Sequence, residues 1–406
     1  MEVLHRCKAS KEVEDVISSM PEDVIANIMD RLPLKDAVAT SILSPSWRSK
    51  WTLLTQLVLD PHFFFNFLNR KFPFDKNYIT RLILHLQGAV TNFDLFISNW
   101  IKIDDEDIHD WVMLLSKMRG FKELTLWNTR TPIQLPTPIF SCLELKHLKL
   151  CECVLSPSTY FRGFPKLLTL ELVHVGFQDH KYGELIAQCP LLQTLKISNR
   201  HLRGELKVVE IVKLENVKVL CLSLCLLDNM AMVRLSTVFQ HMSLVPKLQK
   251  LDLDFENCKF LAEDVAHNPV SITFPFLKTL TLCQMDFSNV SMVSCAFGML
   301  FGCTNLQNLQ ITAIYKNAVP IPAIFPQEVD CNTMGQLQLR NVNLALIKGL
   351  ENEVCLIKCI LACSPILKSI NIRLNWLVES NVNEKYKIAS TLLKFHRASP
   401  VAEVIF

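Results

Sequence analysis

Cysteine and histidine are the residues in this chain whose spacing could support chemistry. Cys355, Cys359 and Cys363 recur every four residues, which would place three thiols on one face of a helix. Three thiols could hold zinc only with a fourth ligand from elsewhere, and their spacing is not that of a structural zinc site. We therefore interpret them as core residues of a packed helix.

A second cluster contains His147, Cys151 and Cys153, but it lacks the paired C-x-x-C spacing of a structural zinc site. No spacing in the chain indicates a Cys–His or Ser–His nucleophile. We expect no catalytic residue, no metal and no cofactor, and hence a protein that is not itself an enzyme.

Loops that cradle phosphate groups are also missing from the sequence. Glycine occurs only 10 times in 406 residues, and the G-x-G-x-x-G, P-loop and G-x-S-x-G patterns are absent. The net charge is +3, from 42 basic and 39 acidic residues. A charge this small gives no field that would hold a polyanion, so we expect no nucleic-acid partner.

The hydrophobic content is high, at 50%, yet no segment reads as a membrane span. The longest weakly polar stretch, from Phe287 to Tyr315, is interrupted by several serines and asparagines. The N-terminus lacks the apolar region of a signal peptide. The number of cysteines, 15, is odd, which argues against a disulfide framework. We expect reduced thiols and an intracellular location, in the nucleus and/or the cytoplasm, without membrane association.

A hexapeptide of the form L-x-x-L-x-L, with other apolar residues allowed, recurs through most of the chain. Such a repeat is typical of leucine-rich solenoids, in which each copy forms a short strand and shares its core with its neighbours. We predict an α/β fold, an irregular leucine-rich-repeat horseshoe over residues 78–345, with a partial first copy at Ile79, Leu82 and Leu84. The full copies are Phe121-Leu124-Leu126, Leu145-Leu148-Leu150, Leu167-Leu170-Leu172, Leu192-Leu195-Ile197, Val217-Leu220-Leu222, Leu248-Leu251-Leu253, Leu277-Leu280-Leu282, Leu306-Leu309-Ile311, Met334-Leu337-Leu339 and Leu367-Ile370-Ile372.

The residues between the leucines of each strand should face the concave surface, where a solenoid presents its ligand. Their charges alternate in sign, so no single-sign funnel identifies a ligand. Among them and just past them we single out five candidates for binding a protein substrate: Trp127, Lys149, Glu171, Lys196 and Asp252. The ten concave positions are Thr125, Lys149, Glu171, Lys196, Cys221, Asp252, Thr281, Gln310, Gln338 and Asn371.

Residues 15–55, which follow a tail at 1–14 predicted to be disordered, show a different pattern. Ser19 and Glu22 fit a capping box at the start of a first helix, and Pro33 separates it from a second. Trp47 and Trp51, four residues apart, predict a third short helix. Helical periodicity alone leaves open that these helices only cap the solenoid, as repeat proteins require.

The order of residues in this segment resembles an F-box. The resemblance is carried by Met20-Pro21-Glu22-Asp23-Val24-Ile25, by Leu32-Pro33-Leu34, by Ser41-Ile42-Leu43-Ser44 and by the pair Trp47 and Trp51. It covers Ile17 to about Leu54 and is nearest to the plant form. Met20 replaces the usual leucine, and Pro45-Ser46 replaces the usual basic pair.

The C-terminal residues 334–406 resemble the FBD module that closes many plant F-box proteins with leucine-rich repeats. The resemblance is carried by Gly349-Leu350-Glu351-Asn352-Glu353, by Ser364-Pro365-Ile366-Leu367-Lys368 and by the final Leu393 to Phe406. The module would continue the solenoid.

This resemblance implies a substrate-recognition subunit of a Skp–cullin–F-box ubiquitin ligase. The F-box would dock on a Skp-type adaptor, which joins a cullin–RING core, and the repeats would capture a protein substrate. Two alternatives stay open: an interaction scaffold without a ubiquitin role, and a hormone-sensing F-box receptor. The predicted adaptor contacts, with Trp47 as the anchor, are Pro21, Val24, Ile28, Leu32, Leu34, Val38, Ile42, Leu43 and Trp47.

Overall fold

The computed structural model describes residues 17–68, 75–86, 90–118, 120–177, 182–199, 206–227, 234–258, 273–316 and 336–406. The predicted tail at residues 1–14 lies outside these ranges. The chain divides into two compact units, Met1–Leu126 and Trp127–Phe406, here called the N-terminal unit and the repeat unit. No helix within the described ranges is both long enough and apolar enough to cross a bilayer.

The N-terminal unit begins with helices and continues with parallel strands. β1 pairs in parallel with β2, Leu57 lying opposite Phe93, and the strand order is β1-β2-β3. Its elements are α1 (Glu22–Met29), α2 (Leu34–Ala39), 3-10 turns at Thr40–Ile42, Pro45–Trp47 and Lys50–Leu53, β1 (Gln56–Leu59), α3 (Pro61–Leu68), α4 (Asn77–His85), β2 (Asn92–Ile97), α5 (Asp105–Ser116) and β3 (Glu123–Asn128), the last of which spans the boundary.

Two predictions about this unit are wrong. The segment with Trp47 and Trp51 is helical, but it forms two separate 3-10 helices and not the single short helix predicted to carry both tryptophans. Ile79, Leu82 and Leu84 lie in α4, so they are not a repeat strand. The first strand is instead β1, where Leu54, Leu57 and Leu59 form an overlooked copy of the hexapeptide with all three leucines buried.

The repeat unit contains an all-parallel sheet in the order β5-β7-β9-β10-β11-β12-β13-β14-β15-β16, and a three-stranded sheet in the order β4-β6-β8. Its described strands are β4 (Ile133–Gln134), β5 (His147–Cys151), β6 (Cys153–Leu155), β7 (Thr169–Val173), β8 (Gly176–Phe177), β9 (Thr194–Ser198), β10 (Val219–Ser223), β11 (Lys250–Asp254), β12 (Thr279–Asp286), β13 (Asn308–Ile314), β14 (Asn341–Ile347), β15 (Ser369–Leu374) and β16 (Glu403–Ile405).

Helices and turns connect these strands, as parallel pairing requires. They are a 3-10 turn at Thr137–Ser141, α6 (Tyr182–Ala187), α7 (Val208–Val212), a 3-10 turn at Leu224–Leu226, α8 (Leu235–Ser243), α9 (Val290–Gly302), α10 (Glu351–Cys363), α11 (Trp376–Glu379) and α12 (Val382–Leu393).

The repeat leucines build the core, as predicted. Adjacent strands hold them in register, for example Leu195 beside Leu220 and Leu220 beside Leu251. These three side chains are 0% exposed. Nine of the ten hexapeptide copies coincide with strands, and this confirms the predicted solenoid architecture.

The predicted copy at Met334-Leu337-Leu339, of which Met334 lies outside the described residues, is wrong about where the strand falls. Strand β14 runs from Asn341 to Ile347, so its repeat is Leu339-Arg340-Asn341-Val342-Asn343-Leu344. The position that lies in register with Gln310 is therefore Asn343 and not Gln338. Leucine at 337 is buried all the same, which explains why it imitated a repeat position.

Buried asparagines join successive coils of the repeat unit. Asn128 is 0% exposed and donates from Nδ2 to the carbonyl oxygens of Thr131 and Glu152, both at 2.9 Å. Asn199 donates to the carbonyl oxygen of Val175 at 3.0 Å. Each amide thus satisfies backbone carbonyls where the strands end.

Candidate functional site

Two prolines determine where the first helices begin. Pro21 precedes α1 and Pro33 precedes α2, and both adopt extended backbone. Glu22 and Asp23 lie in the first turn of α1, where the helix dipole favours acids. The predicted capping box is wrong, because α1 starts at Glu22 and no side chain caps it.

Trp47 lies inside the helical module, which is the set of short helices between Glu22 and Leu53. It is only 8% exposed, and its indole Nε1 donates to Ser18 Oγ at 2.7 Å. Ile25 and Met29 of α1 are completely buried, as is Ala37 of α2. The predicted anchor is therefore placed as a core residue, which removes the reason for making it the dominant contact.

The other eight predicted adaptor contacts retain exposed surface. Ile42 is 85% exposed and Leu43 is 67% exposed, both next to each other after α2. Val24 is 39% exposed. Two neighbouring large aliphatic side chains at this exposure form an apolar surface that a partner could bury. The remaining residues of this set are exposed or half-buried: Pro21, Ile28, Leu32, Leu34 and Val38.

Asp30 ties this module to β1, a role that the sequence analysis did not identify. Its Oδ1 accepts from the backbone N–H of Thr55 at 2.8 Å and of Gln56 at 3.2 Å, and Oδ2 accepts from Thr55 Oγ1 at 2.7 Å. The sequence features that could have indicated this contact are Asp30, an acid directly after α1, and Thr55, a threonine directly before β1. The carboxylate fixes where α1 ends relative to the first strand.

Three of the predicted substrate contacts form one charge row across adjacent strands. The register sets Lys149 beside Glu171 and Glu171 beside Lys196. Lys196 Nζ lies 3.0 Å from Glu171 Oε1, and Lys149 Nζ lies 3.9 Å from the same oxygen. The two lysines therefore share one carboxylate, which offsets one of their two positive charges.

The row continues through Cys221 to Asp252. Cys221 Sγ donates to Asp252 Oδ2 at 3.1 Å, and Lys250 Nζ lies 3.2 Å from that oxygen. Burial and the nearby Asp252 carboxylate raise the pKa of the Cys221 thiol to about 12. The thiol is protonated at neutral pH and serves as a hydrogen-bond donor rather than as a nucleophile.

Trp127 lies within β3 and not beyond it. Its side chain is 47% exposed, so the neighbouring segments leave half of the indole available. It stays a predicted contact.

The cysteine triplet lies on α10, as the four-residue spacing predicted. Cys355, Cys359 and Cys363 are 8%, 1% and 1% exposed, which agrees with packing against the core. The absence of a metal there stays a prediction.

A buried acid that no sequence pattern indicated lies in the first turn of this helix. Glu353 is 1% exposed; its Oε1 accepts from the hydroxyl of Tyr315, and its Oε2 accepts from the backbone N–H of Leu350 at 2.8 Å. Burial raises the pKa of Glu353 to about 7, against the hydrogen bonds that lower it. Lys348 Nζ lies 4.1 Å from the centre of the Tyr315 ring.

Comparison with known families matches two segments of the chain. The F-box domain model matches residues 17–56. A model described as "FBD-associated F-box protein At5g56370, LRR repeats" matches residues 108–247.

Relatives extend the likeness over the whole chain. The F-box/FBD/LRR-repeat protein At1g13570 of Arabidopsis thaliana is 28% identical over 97% of this chain and 99% of its own length. The F-box/LRR-repeat protein 13 of the same plant is 31% identical over 51% of this chain and 45% of its own length. Among solved structures, an internalin C2 of Listeria monocytogenes is similar over 61% of this chain and 87% of its own, at 18% identity and a TM-score of 0.35.

An F-box followed by a parallel leucine-rich-repeat sheet defines the class of F-box proteins with leucine-rich repeats. Within that class, the chain is similar to the plant F-box/FBD/leucine-rich-repeat proteins. F-box domains generally bind Skp1-type adaptors.

Proposed function

We propose that this chain is the substrate-recognition subunit of a Skp–cullin–F-box ubiquitin ligase. Its F-box docks on a Skp-type adaptor and so on a cullin–RING core, its repeat unit captures a protein substrate, and the ligase chemistry belongs to its partners. An intracellular location, nuclear or cytoplasmic, goes with this role.

One observation carries the proposal: within the segment matched by the F-box model, Ile42 and Leu43 expose most of their side chains. Burying a large aliphatic side chain is worth roughly 1.5–3 kcal/mol before the costs of association. A pair of such residues is enough to dominate an interface of ordinary size. Trp47 contributes indirectly, because it holds the turn that follows them.

The test measures binding of the full chain to a purified Skp-type adaptor. We expect Ile42→Ser combined with Leu43→Ser to weaken binding at least about tenfold. Both side chains are exposed, so the melting temperature should change little. Trp47→Ala is unsuitable as the test, because removing a buried residue would unfold the module.

A matched control replaces two equally exposed aliphatic residues outside the F-box. Val382 is 77% exposed and Val401 is 71% exposed, so Val382→Ser with Val401→Ser should leave adaptor binding unchanged. If the folded native chain does not bind the adaptor, the proposal is wrong, and a repeat scaffold whose helices only form a cap becomes the better hypothesis.

A further inference from the structure

The residue that follows the first apolar position of each repeat forms a continuous row along one edge of the repeat sheet. Backbone hydrogen bonds of 2.7–2.9 Å link the row, each from the N–H of one residue to the carbonyl oxygen of the residue one coil earlier. The residues linked in this way are, in order, Gln193, Lys218, Gln249, Lys278, Gln307, Arg340 and Lys368. The row therefore lies at the edge where the chain enters the strands.

The chemistry of this row differs from that of the strand face. From Gln193 to Lys368 its members are lysine, arginine or glutamine, and none is acidic. Basic residues recur in every second coil at Lys218, Lys278 and Arg340, which are all exposed. Since adjacent strands lie about 4.8 Å apart, these cations are spaced by about 10 Å.

A groove of about 440 Å³ opens on this edge between β10 and β13. Its lining joins three lysines to an apolar surface made of two prolines and an exposed aromatic ring. Phe276 is 58% exposed, a high value for a phenylalanine that no partner covers. These six lining residues are Lys218, Pro246, Lys247, Pro275, Phe276 and Lys278.

The charge of the groove is not neutralised within the described part of the chain. Lys218 Nζ donates to Gln193 Oε1 at 3.2 Å and Lys247 Nζ donates to Asn216 Oδ1 at 2.8 Å, both neutral amide oxygens. No carboxylate of the described residues pairs with Lys218, Lys247 or Lys278. By contrast, Lys166 nearer the start of the repeats pairs with Glu144 at 2.7 Å.

We propose that this groove binds an extended acidic segment of a protein partner, with an apolar side chain of that segment against Phe276. Charge complementarity selects the acidic residues, because three lysines line the groove and no carboxylate of the described residues pairs with them. An extended segment presents same-face side chains about 7 Å apart, within reach of flexible lysines spaced by about 10 Å. The apolar surface favours a peptide over a nucleic acid, which would need a longer basic track.

The acidic segment is assigned to the ligase substrate, and only that assignment rests on the proposed function. It places substrate capture at the edge of the sheet and not on the row of Lys149, Glu171 and Lys196, where both lysines already lie near one carboxylate. Binding is measured on the full chain without an adaptor, so the two ideas can fail separately.

The test uses fluorescence anisotropy with a fluorescein-labelled nonapeptide, four glutamates on each side of one phenylalanine. We expect Lys218→Glu with Lys278→Glu to weaken binding at least about tenfold, and Phe276→Ser about fivefold. Binding should also weaken as salt is raised. The matched control, Lys387→Glu with Lys394→Glu, changes the net charge equally at two exposed positions, one in α12 and one directly after it. It should stay within about twofold of the native chain.

Three results would overturn the proposal: no binding of the nonapeptide, equal loss in the control variant, or tighter binding of a nine-nucleotide single-stranded DNA through the same lysines. The same samples are tested for adaptor binding. The groove variant should retain the adaptor, whereas Ile42→Ser with Leu43→Ser should retain the nonapeptide.

Discussion

The F-box segment and the repeat sheet place their large apolar side chains differently. In residues 17–56, Ile25 and Met29 form a small core while Ile42 and Leu43 project outward. In the repeat sheet, the leucines at the strand centres, such as Leu220, are fully buried. The residues between them carry paired charges.

The difference shows which kind of contact each region can offer a partner. A segment that leaves aliphatic side chains exposed gains free energy by burying them, and that gain is largely independent of salt. A sheet whose leucines are buried in its own core offers charged and polar groups to a partner. The contribution of these groups to binding is specific and depends on salt. Four measurements test this difference.

The largest effect should come from a core leucine. Leu220→Ala removes a fully buried side chain between two neighbouring strands, and we expect the free energy of unfolding to fall by about 2–5 kcal/mol. Ile42→Ala should change it by less than about 0.5 kcal/mol, because that side chain is solvated. Urea denaturation followed by far-ultraviolet circular dichroism measures both. Equal losses in the two variants would contradict the contrast.

The next largest effect should come from Glu353, a buried acid among the mostly apolar buried side chains of the repeat unit. Because the pKa of Glu353 rises from 4.5 in the unfolded chain to about 7 when folded, the folded state binds the proton more tightly. The contribution of Glu353 to stability should therefore be greatest below about pH 4.5 and be lost as the pH rises through about 7, by roughly 3 kcal/mol in all. Glu353→Gln should remove this loss when unfolding is measured across that range.

The control for this pH dependence is Glu351→Gln, two residues away on the same helix. Glu351 is exposed, so its replacement should leave the pH profile of the native chain intact. An unchanged profile in Glu353→Gln would show that other groups cause the dependence.

A slightly smaller effect is expected where the F-box segment is joined to the first strand. Asp30→Ala removes three hydrogen bonds to Thr55 and Gln56, and bonds to a charged group are worth about 1.5–3 kcal/mol. Amide hydrogen exchange should accelerate across residues 22–59. Asp36→Ala, at an exposed position of α2, should leave exchange unaltered.

Much of the fold was predictable from one pattern, because burial of a strand centre demands leucine or a close substitute. Three strands that were missed follow the same rule: β1 with Leu57 and Leu59, β2 with Phe93 and Leu95, and β14 with Val342 and Leu344. The last two are harder to find because phenylalanine or valine occupies a leucine position. The helix at Asn77–His85 imitated a copy, since its buried face also repeats every three to four residues.

The candidate site was harder to predict, because exposure depends on packing between distant residues. The Trp47 indole is directed inward by a hydrogen bond to Ser18, 29 residues away. Likewise, the row that contains Lys218 and Lys278 needs the inter-strand register, which a list of repeats gives only approximately. The pairing of Glu171 with both flanking lysines also depends on that register.

The smallest effect concerns backbone strain at the end of β14. Leu346 has φ +64° and lies at an irregularity in the pairing with β15. Asparagine tolerates this left-handed region better than leucine. Leu346→Asn should raise the unfolding free energy by about 0.5–1 kcal/mol, whereas Leu346→Ala, which keeps a Cβ in the same conformation, should give no gain.

The spacing between strand centres has a consequence for how such a chain can diversify. Leu148 and Leu170 are 22 residues apart while Leu309 and Val342 are 33 apart, yet both pairs of coils stack in a single parallel sheet. Closing a longer loop costs only slightly more free energy, and each coil contacts chiefly its neighbours. Insertions and deletions between strands can thus accumulate during evolution without disturbing the inherited framework.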